Sequence, residues 1–218
     1  ETRQAVTGAM HSDEKRKLIV VADTHNGVYC VSDKGTLRWS RVGQGRNLAG
    51  VGTNAFGDVV VTNTEGQTMV YHIESGKTLD SFTLPEFHAS VPTIGGTCFY
   101  GATLGRVVYC YDYVKHQMNW TFEANGRMYS APALDQSSVI VGDNNGRVYF
   151  LDRATGQNQV LGIFPERVTN PILLTPQNIL ISTFANELYM MRNAAGAVPP
   201  AAHEPNHPAT DHDSIHRA

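Results

Sequence analysis

The stretch "GRVYFLDRATGQ", residues 146–157, decides the fold. Gly146 closes a turn, Val148 to Leu151 form an apolar run carrying two aromatic rings, and Asp152 leads at once into a second turn at Ala154-Thr155-Gly156. A short apolar run between two turn signals reads as one strand flanked by hairpins. The same unit recurs along the chain. Aligned on its tyrosine, the copies are Tyr29-Cys30-Val31-Ser32, Met69-Val70-Tyr71-His72, Tyr109-Cys110-Tyr111-Asp112, Tyr149-Phe150-Leu151-Asp152 and Tyr189-Met190-Met191-Arg192, each 40 residues after the last. A fixed period of this length is the mark of a repeat architecture.

Each copy follows a second apolar run across a turn: "LIVVADTHNG", "DVVVTNTEG", "CFYGATLG", "VIVGDNNG" and "ILISTFAN". A third short segment precedes the pair in "SVPTI", "SAPAL" and "TNPILL", with Pro92 and Pro132 again one period apart, and a fourth follows in "TLRWSRV", "KTLDSFTL" and "QMNWTFE". Four short strands per period, with no amphipathic helix between them, predict an all-β fold: a β-propeller of four-stranded blades. The runs Val107 to Tyr111 and Val148 to Leu151 are continuously apolar, so both faces of those strands are expected to be covered. Blades packed on either side provide that cover, whereas a two-layer sandwich leaves one face wet and its strands alternate.

Composition fits a folded chain with modest charge. The 218 residues are 41% hydrophobic and 17% charged, with a formal net charge of -3. No block of like charge suggests a nucleic-acid footprint; Lys15-Arg16-Lys17 sits beside Asp13 and Glu14 as a solvated loop would. No apolar run has the length of a membrane span, and residues 1–20 lack the charged-then-apolar order of a secretory signal.

The phrase "VYFLDRATG", with its weaker copies "VYCVSDKGTLRW", "VYHIESGK" and "VYCYDYVKHQMNW", resembles the repeat of PQQ-like, or quinoprotein-type, propellers across residues 5–192. That repeat runs apolar-Tyr-x-apolar-Asp, then Thr-Gly, then a tryptophan near the end of the outer strand. Trp39 and Trp120 occupy the tryptophan position, which the resemblance implies stacks on the neighbouring blade; Asp80 and Val160 replace it in the second and fourth copies. Thr-Gly is complete only at Thr155-Gly156.

By alignment with "ANGRMYSAPAL", Ala5 to Met10 takes the place of a first inner strand, and the fifth copy stops after its third strand at Arg192. Four complete blades and a partial fifth are therefore expected over residues 1–192, as the C-terminal part of a larger ring. Members of the family usually close with more blades, and commonly complete the last one with a strand from the other end of the domain. Residues 193–218, rich in Ala, Pro and His, predict a disordered tail. Its histidines, His203, His207, His212 and His216, are spaced to meet around Zn²⁺ or Cu²⁺, but Pro205 and Pro208 oppose the helix that would align them.

Other chemistry is sparse. Asp143-Asn144-Asn145-Gly146 resembles the start of a calcium loop without its downstream carboxylate and reads as a hairpin turn, as does His25-Asn26-Gly27. Serine-elbow, phosphate-loop and cysteine-pair zinc motifs are absent from the sequence. Asn119-Trp120-Thr121 is a formal glycosylation sequon, but it lies on an expected strand. Cys30 and Cys110 stand two blades apart and cannot bridge. Cys98 faces Cys110 if the intervening turn is Thr103-Leu104-Gly105, and misses it if the turn has four residues. Free buried thiols favour a reducing compartment, which points to the cytoplasm.

The reading that follows is a non-catalytic scaffold or protein-interaction module, with no cofactor, whose partners are proteins or other domains of the same chain. The resemblance supplies precedents in bacterial outer-membrane assembly scaffolds and in the C-terminal propeller of acyl-adenylating, β-alanine-activating-type enzymes. The alternatives are a fragment of a quinone-dependent dehydrogenase, or a metal-binding protein using the histidine tail. The resemblance to dehydrogenases implies a catalytic aspartate, a calcium site and a vicinal cysteine pair, none of which can be placed on this sequence.

Overall fold

The structure, a computed structural model, describes residues 2–193 except residues 3, 7, 55 and 85. The histidines of the tail lie outside the described residues. Five antiparallel sheets follow one another along the chain. Blade one holds β1 (His11–Asp13), β2 (Leu18–Ala22), β3 (Gly27–Ser32) and β4 (Leu37–Val42). Blade two holds β5 (Val51–Thr53), β6 (Asp58–Thr62), β7 (Gln67–His72) and β8 (Thr78–Thr83). Blade three holds β9 (Thr93–Gly95), β10 (Cys98–Ala102), β11 (Val107–Asp112) and β12 (Gln117–Glu123). Blade four holds β13 (Ala133–Leu134), β14 (Ser138–Gly142), β15 (Arg147–Asp152) and β16 (Asn158–Ile163), and blade five β17 (Leu173–Leu174), β18 (Asn178–Ser182) and β19 (Leu188–Arg192). In every blade the strands pair in chain order, so each is a meander, and the fifth sheet has three strands among the described residues.

Successive side chains on a strand point to opposite faces of its sheet, and here each face meets a different neighbour. In blade three, Phe99, Tyr109 and Tyr111 pack with Val60 and Val70 of blade two, while Tyr100, Val108 and Cys110 pack with Val139, Val141, Tyr149 and Leu151 of blade four. That is why the runs around Tyr109 and Tyr149 are apolar without alternation. Blades one and two share a core around Val20, Cys30, Val59 and Tyr71, and blades four and five share one around Ile140, Val148, Ile179 and Ile181.

Four such cores join five blades, which makes an arc. The innermost strands touch in the order β1, β5, β9, β13, β17, with no comparable contact from β17 back to β1 among the described residues. Blade five turns an apolar face outward, with Leu173, Leu188 and Met190 more than half exposed.

Two expectations are corrected. The first inner strand is His11–Asp13, not Ala5 to Met10. The Ala5 carbonyl instead accepts from Thr24 N at 2.9 Å and Ala9 bridges in parallel to Gly50, so this segment crosses the end of blade one before the strand begins. The turn between β10 and β11 falls one residue later than Thr103-Leu104-Gly105, because Thr103 N bonds to the carbonyl of Val107. Cys98 consequently pairs with Asp112 and Cys110 with Tyr100, and the two cysteines are diagonal neighbours rather than opposite each other. All three cysteines are free thiols.

Candidate interaction face

The meander places the turns between the first and second strands, and between the third and fourth, on one side of the arc. The turns between the second and third strands and the connections between blades lie on the other. The two sides are built differently.

On the first side the blades are clasped together. Trp39 Nε1 donates to the Ile73 carbonyl at 2.6 Å and Trp120 Nε1 to the Arg153 carbonyl at 3.1 Å, each reaching into the next blade. The indoles lie against Gly76 and Gly156, both at positive φ, where an added Cβ would come within 2.6 and 2.7 Å of the ring. Between blades two and three the position of the tryptophan is held by Asp80, and the glycine position by His116, itself at φ 55°. There Asp80 Oδ1 and His116 Nδ1 meet at 2.8 Å, so a polar pair replaces the stack.

On the second side the turns between the second and third strands of a blade are fixed from within. Asp143 Oδ1 accepts from the amides of Asn145 and Arg147 at 2.8 and 2.9 Å, and its Oδ2 accepts from the Tyr149 hydroxyl at 2.9 Å. Asp23 does the same for His25, Gly27 and Tyr29. Both carboxylate oxygens of Asp143 are thus engaged in the turn that resembles a calcium loop. Asn63 and Thr103 cap the equivalent turns of blades two and three. The repeat tyrosines and their counterpart Met69 lie on β3, β7, β11, β15 and β19; Tyr109 is fully buried, its hydroxyl 2.9 Å from Nε2 of buried His88. Burial holds the imidazole of His88 down at about 4, so it is neutral at physiological pH.

Across these turns run the connections between blades, each anchored in the same way. The carbonyls of Arg46, Phe87, Arg127 and Arg167 accept from the amides of Thr64, Leu104, Asn144 and Phe184 at 2.8–2.9 Å. The next residue in each connection, Asn47, His88, Met128 or Val168, is buried beneath. With the backbone held and its successor inward, the side chains of Arg46, Phe87, Arg127 and Arg167 are exposed at equivalent places along the arc. Leu48, Tyr129 and Phe184 stand exposed beside them, and the Arg167 guanidinium lies 4.2 Å from the Phe184 ring centre. Arginine and aromatic residues are the types enriched at protein interfaces and at their energetic centres.

Sequence reasoning singled out none of these four positions. The available signal was Arg127 and Arg167, one period apart and each just before a buried apolar residue. Trp39 and Trp120, which it did single out, belong to the opposite, clasped side.

The five meander sheets and their repeat are those of a PQQ-like β-propeller. The chain belongs to the family described as outer membrane protein assembly factor BamB, whose sequence profile matches residues 2–160. No curated protein matches the chain. Among solved structures, BamB from Moraxella catarrhalis is similar with a TM-score of 0.75 at 15% identity, covering 90% of this chain and 64% of that one. The computationally designed Ika8 protein gives 0.77 at 14% identity, covering 90% of this chain and 61% of its own. The designed Ika4 protein gives 0.60 at 14%, covering 69% of this chain and 92% of its own. At these identities the likeness is one of fold, and the chain spans less than two thirds of the first two proteins. Among the described residues no helix is long and apolar enough to cross a membrane.

Proposed function

We propose that this chain is a non-catalytic scaffold in outer-membrane protein assembly, and that it docks a protein partner on the side of the arc bearing Arg46, Phe87, Arg127 and Arg167. The observation that carries the reading is the repetition of that exposed position. Four consecutive connections present an arginine or phenylalanine at one height, on backbone pinned by the same hydrogen bond. Pinned backbone keeps the ordering cost of association low, because side chains alone must be immobilised. The family description supplies the process and argues for the cell envelope over the cytoplasm.

The test is to replace Arg46, Phe87, Arg127 and Arg167 by alanine in the full-length protein, expressed in its native host, and to isolate it with its associated proteins. The variant is expected to lose a co-purifying outer-membrane assembly protein that the parent retains. A control carrying Lys34→Ala, Glu74→Ala and Lys115→Ala, all exposed on the clasped side, is expected to keep it. Retention by the first variant, or loss by the control, overturns the proposal.

A further inference from the structure

A groove of about 460 Å³ lies between blades two and three on the clasped side, within the size range of small-molecule sites. Phe56, Leu79, Tyr113 and Val114 supply its apolar walls, with Phe56 69% and Val114 59% exposed. Beside them the Asp58 carboxylate accepts, on Oδ2, from the Tyr113 hydroxyl at 2.6 Å and from Asn54 Nδ2 at 3.2 Å. Its Oδ1 accepts no hydrogen bond among the described residues. Burial, with this carboxylate, pushes the Tyr113 hydroxyl far up, so it stays a donor. No lysine or arginine is among the described residues lining the groove. The basic groups at its margin are held elsewhere: His116 Nδ1 by Asp80 at 2.8 Å, and Arg16, which donates to the Phe56 carbonyl, by Asp13 and Glu74.

The repeat shows what such a groove holds when the chain fills it from within. The counterpart groove between blades three and four is lined by residues one period further along: Cys98 for Asp58, Asn119 for Leu79, Arg153 for Tyr113 and Ala154 for Val114. There the Arg153 guanidinium lies 5.3 Å from the Tyr100 ring centre, with Nε donating to the Tyr100 hydroxyl at 3.0 Å and Nη1 to the Asp135 carbonyl at 3.1 Å. Between blades one and two, Arg16 crosses from blade one to the Phe56 carbonyl and Glu74 of blade two. The middle groove has neither arginine. Tyr113 stands at the place of Arg153, Phe56 at the place of Arg16, and a carboxylate, Asp58, at the place of Cys98. It has exchanged the guanidinium of its own chain for aromatic rings and a negative charge, the two groups that hold an organic cation.

We propose that the groove between blades two and three binds a small guanidinium compound with a short apolar body. The guanidinium donates to Asp58 Oδ1 and lies against the Phe56 ring, while the body covers Leu79 and Val114. The site is on the opposite side of the arc from Arg46, Phe87, Arg127 and Arg167, and it is independent of the partner docked there.

The experiment replaces Phe56 by a ring-fluorinated phenylalanine in the full-length protein and follows its fluorine NMR signal as n-butylguanidinium is added, with n-butylurea as the neutral isostere. A saturable shift is expected with n-butylguanidinium. The urea should bind at least about tenfold more weakly, since it cannot make the charge-assisted hydrogen bond. Asp58→Asn, which keeps the side-chain shape, should weaken n-butylguanidinium by a similar factor. Val114→Arg, at an exposed position, should abolish binding, because the new guanidinium takes the place of the ligand. Circular dichroism verifies that each variant is folded. A photoreactive amino acid at Val114 in native cells should capture no protein. The absence of a saturable shift, an equal response to n-butylurea, or undiminished binding by folded Asp58→Asn or Val114→Arg overturns the proposal. So does a protein adduct at Val114, which would assign the groove to a partner's side chain.

Discussion

Replacing Trp120 by alanine tests the joint between blades three and four. The indole is buried, packs 5.9 Å from the Tyr100 ring centre, and donates to the Arg153 carbonyl. Truncating a buried aromatic of this size costs about 3–5 kcal/mol. Its partner Gly156 adds a second perturbation. At φ 73° an alanine carries a backbone cost of about 1–2 kcal/mol, and its Cβ would stand 2.7 Å from Trp120 Cδ2, an overpacking worth about 1–3 kcal/mol more. In the Trp120→Ala background the overpacking vanishes and the backbone cost stays. The double variant should therefore be more stable than the sum of the single effects by about 1–3 kcal/mol. Urea denaturation followed by circular dichroism on the parent, both single variants and the double measures this. Additivity within about 0.5 kcal/mol would show that Trp120 and Gly156 do not bear on each other, and that the clasp is misread.

Tyr149→Phe removes the hydroxyl that joins Asp143 Oδ2 to the Asn125 amide, and should lower stability by about 1–3 kcal/mol in the same assay, whereas Tyr129→Phe at the exposed face should change it by less than about 0.5 kcal/mol. Asp152 is held below the usual carboxylate range by the Thr155 hydroxyl and amide; in Asp112 the upward push of burial is outweighed by the amides of Lys115 and Val114 and the Lys115 ammonium. Depressed carboxylates contribute stability that is complete above their unfolded value near 3.9 and is lost as pH falls through the folded values. Asp152→Asn should thus lower stability at pH 7 and flatten its decline below pH 4, and an unchanged acid limb would refute this. Residues 1–193 expressed alone should self-associate through the outward face of blade five and the free edge of β19; a monomer by light scattering, with a sharp unfolding transition, would show that these surfaces are covered in some other way.

The repeat made the fold legible because each blade solves the same packing problem with the same residue types. The period placed Tyr29, Tyr109 and Tyr149 on equivalent strands, and the continuous apolar runs reported that both faces of each sheet are covered. Where the chain departs from its period, sequence reasoning lost the thread. Ala5 to Met10 crosses the end of blade one because its backbone serves the turn at Thr24, a tertiary role that composition does not encode. The register of Cys98 depended on a turn whose hydrogen bonding shifts by one residue at Thr103. Asp80 looked like a lost tryptophan, yet its exchange is matched across the blade boundary by His116 at the glycine position. The interaction face was hidden for a further reason. Exposed arginines and aromatics carry no periodic burial signal, and only the pinned connections show that Arg46, Phe87, Arg127 and Arg167 stand at one height.

Site-specific photo-crosslinking tests the assignment of that face most directly. A photoreactive amino acid is placed singly at Phe87, Arg127, Arg167 and Phe184, and at Lys34, Glu74 and Lys115 on the clasped side, in the full-length protein within its native cells. One adduct of constant mass, containing a protein of the outer-membrane assembly apparatus, is expected from the first set, and none from the second. Adducts confined to Lys34, Glu74 and Lys115, or equal yields from both sides, would contradict that assignment.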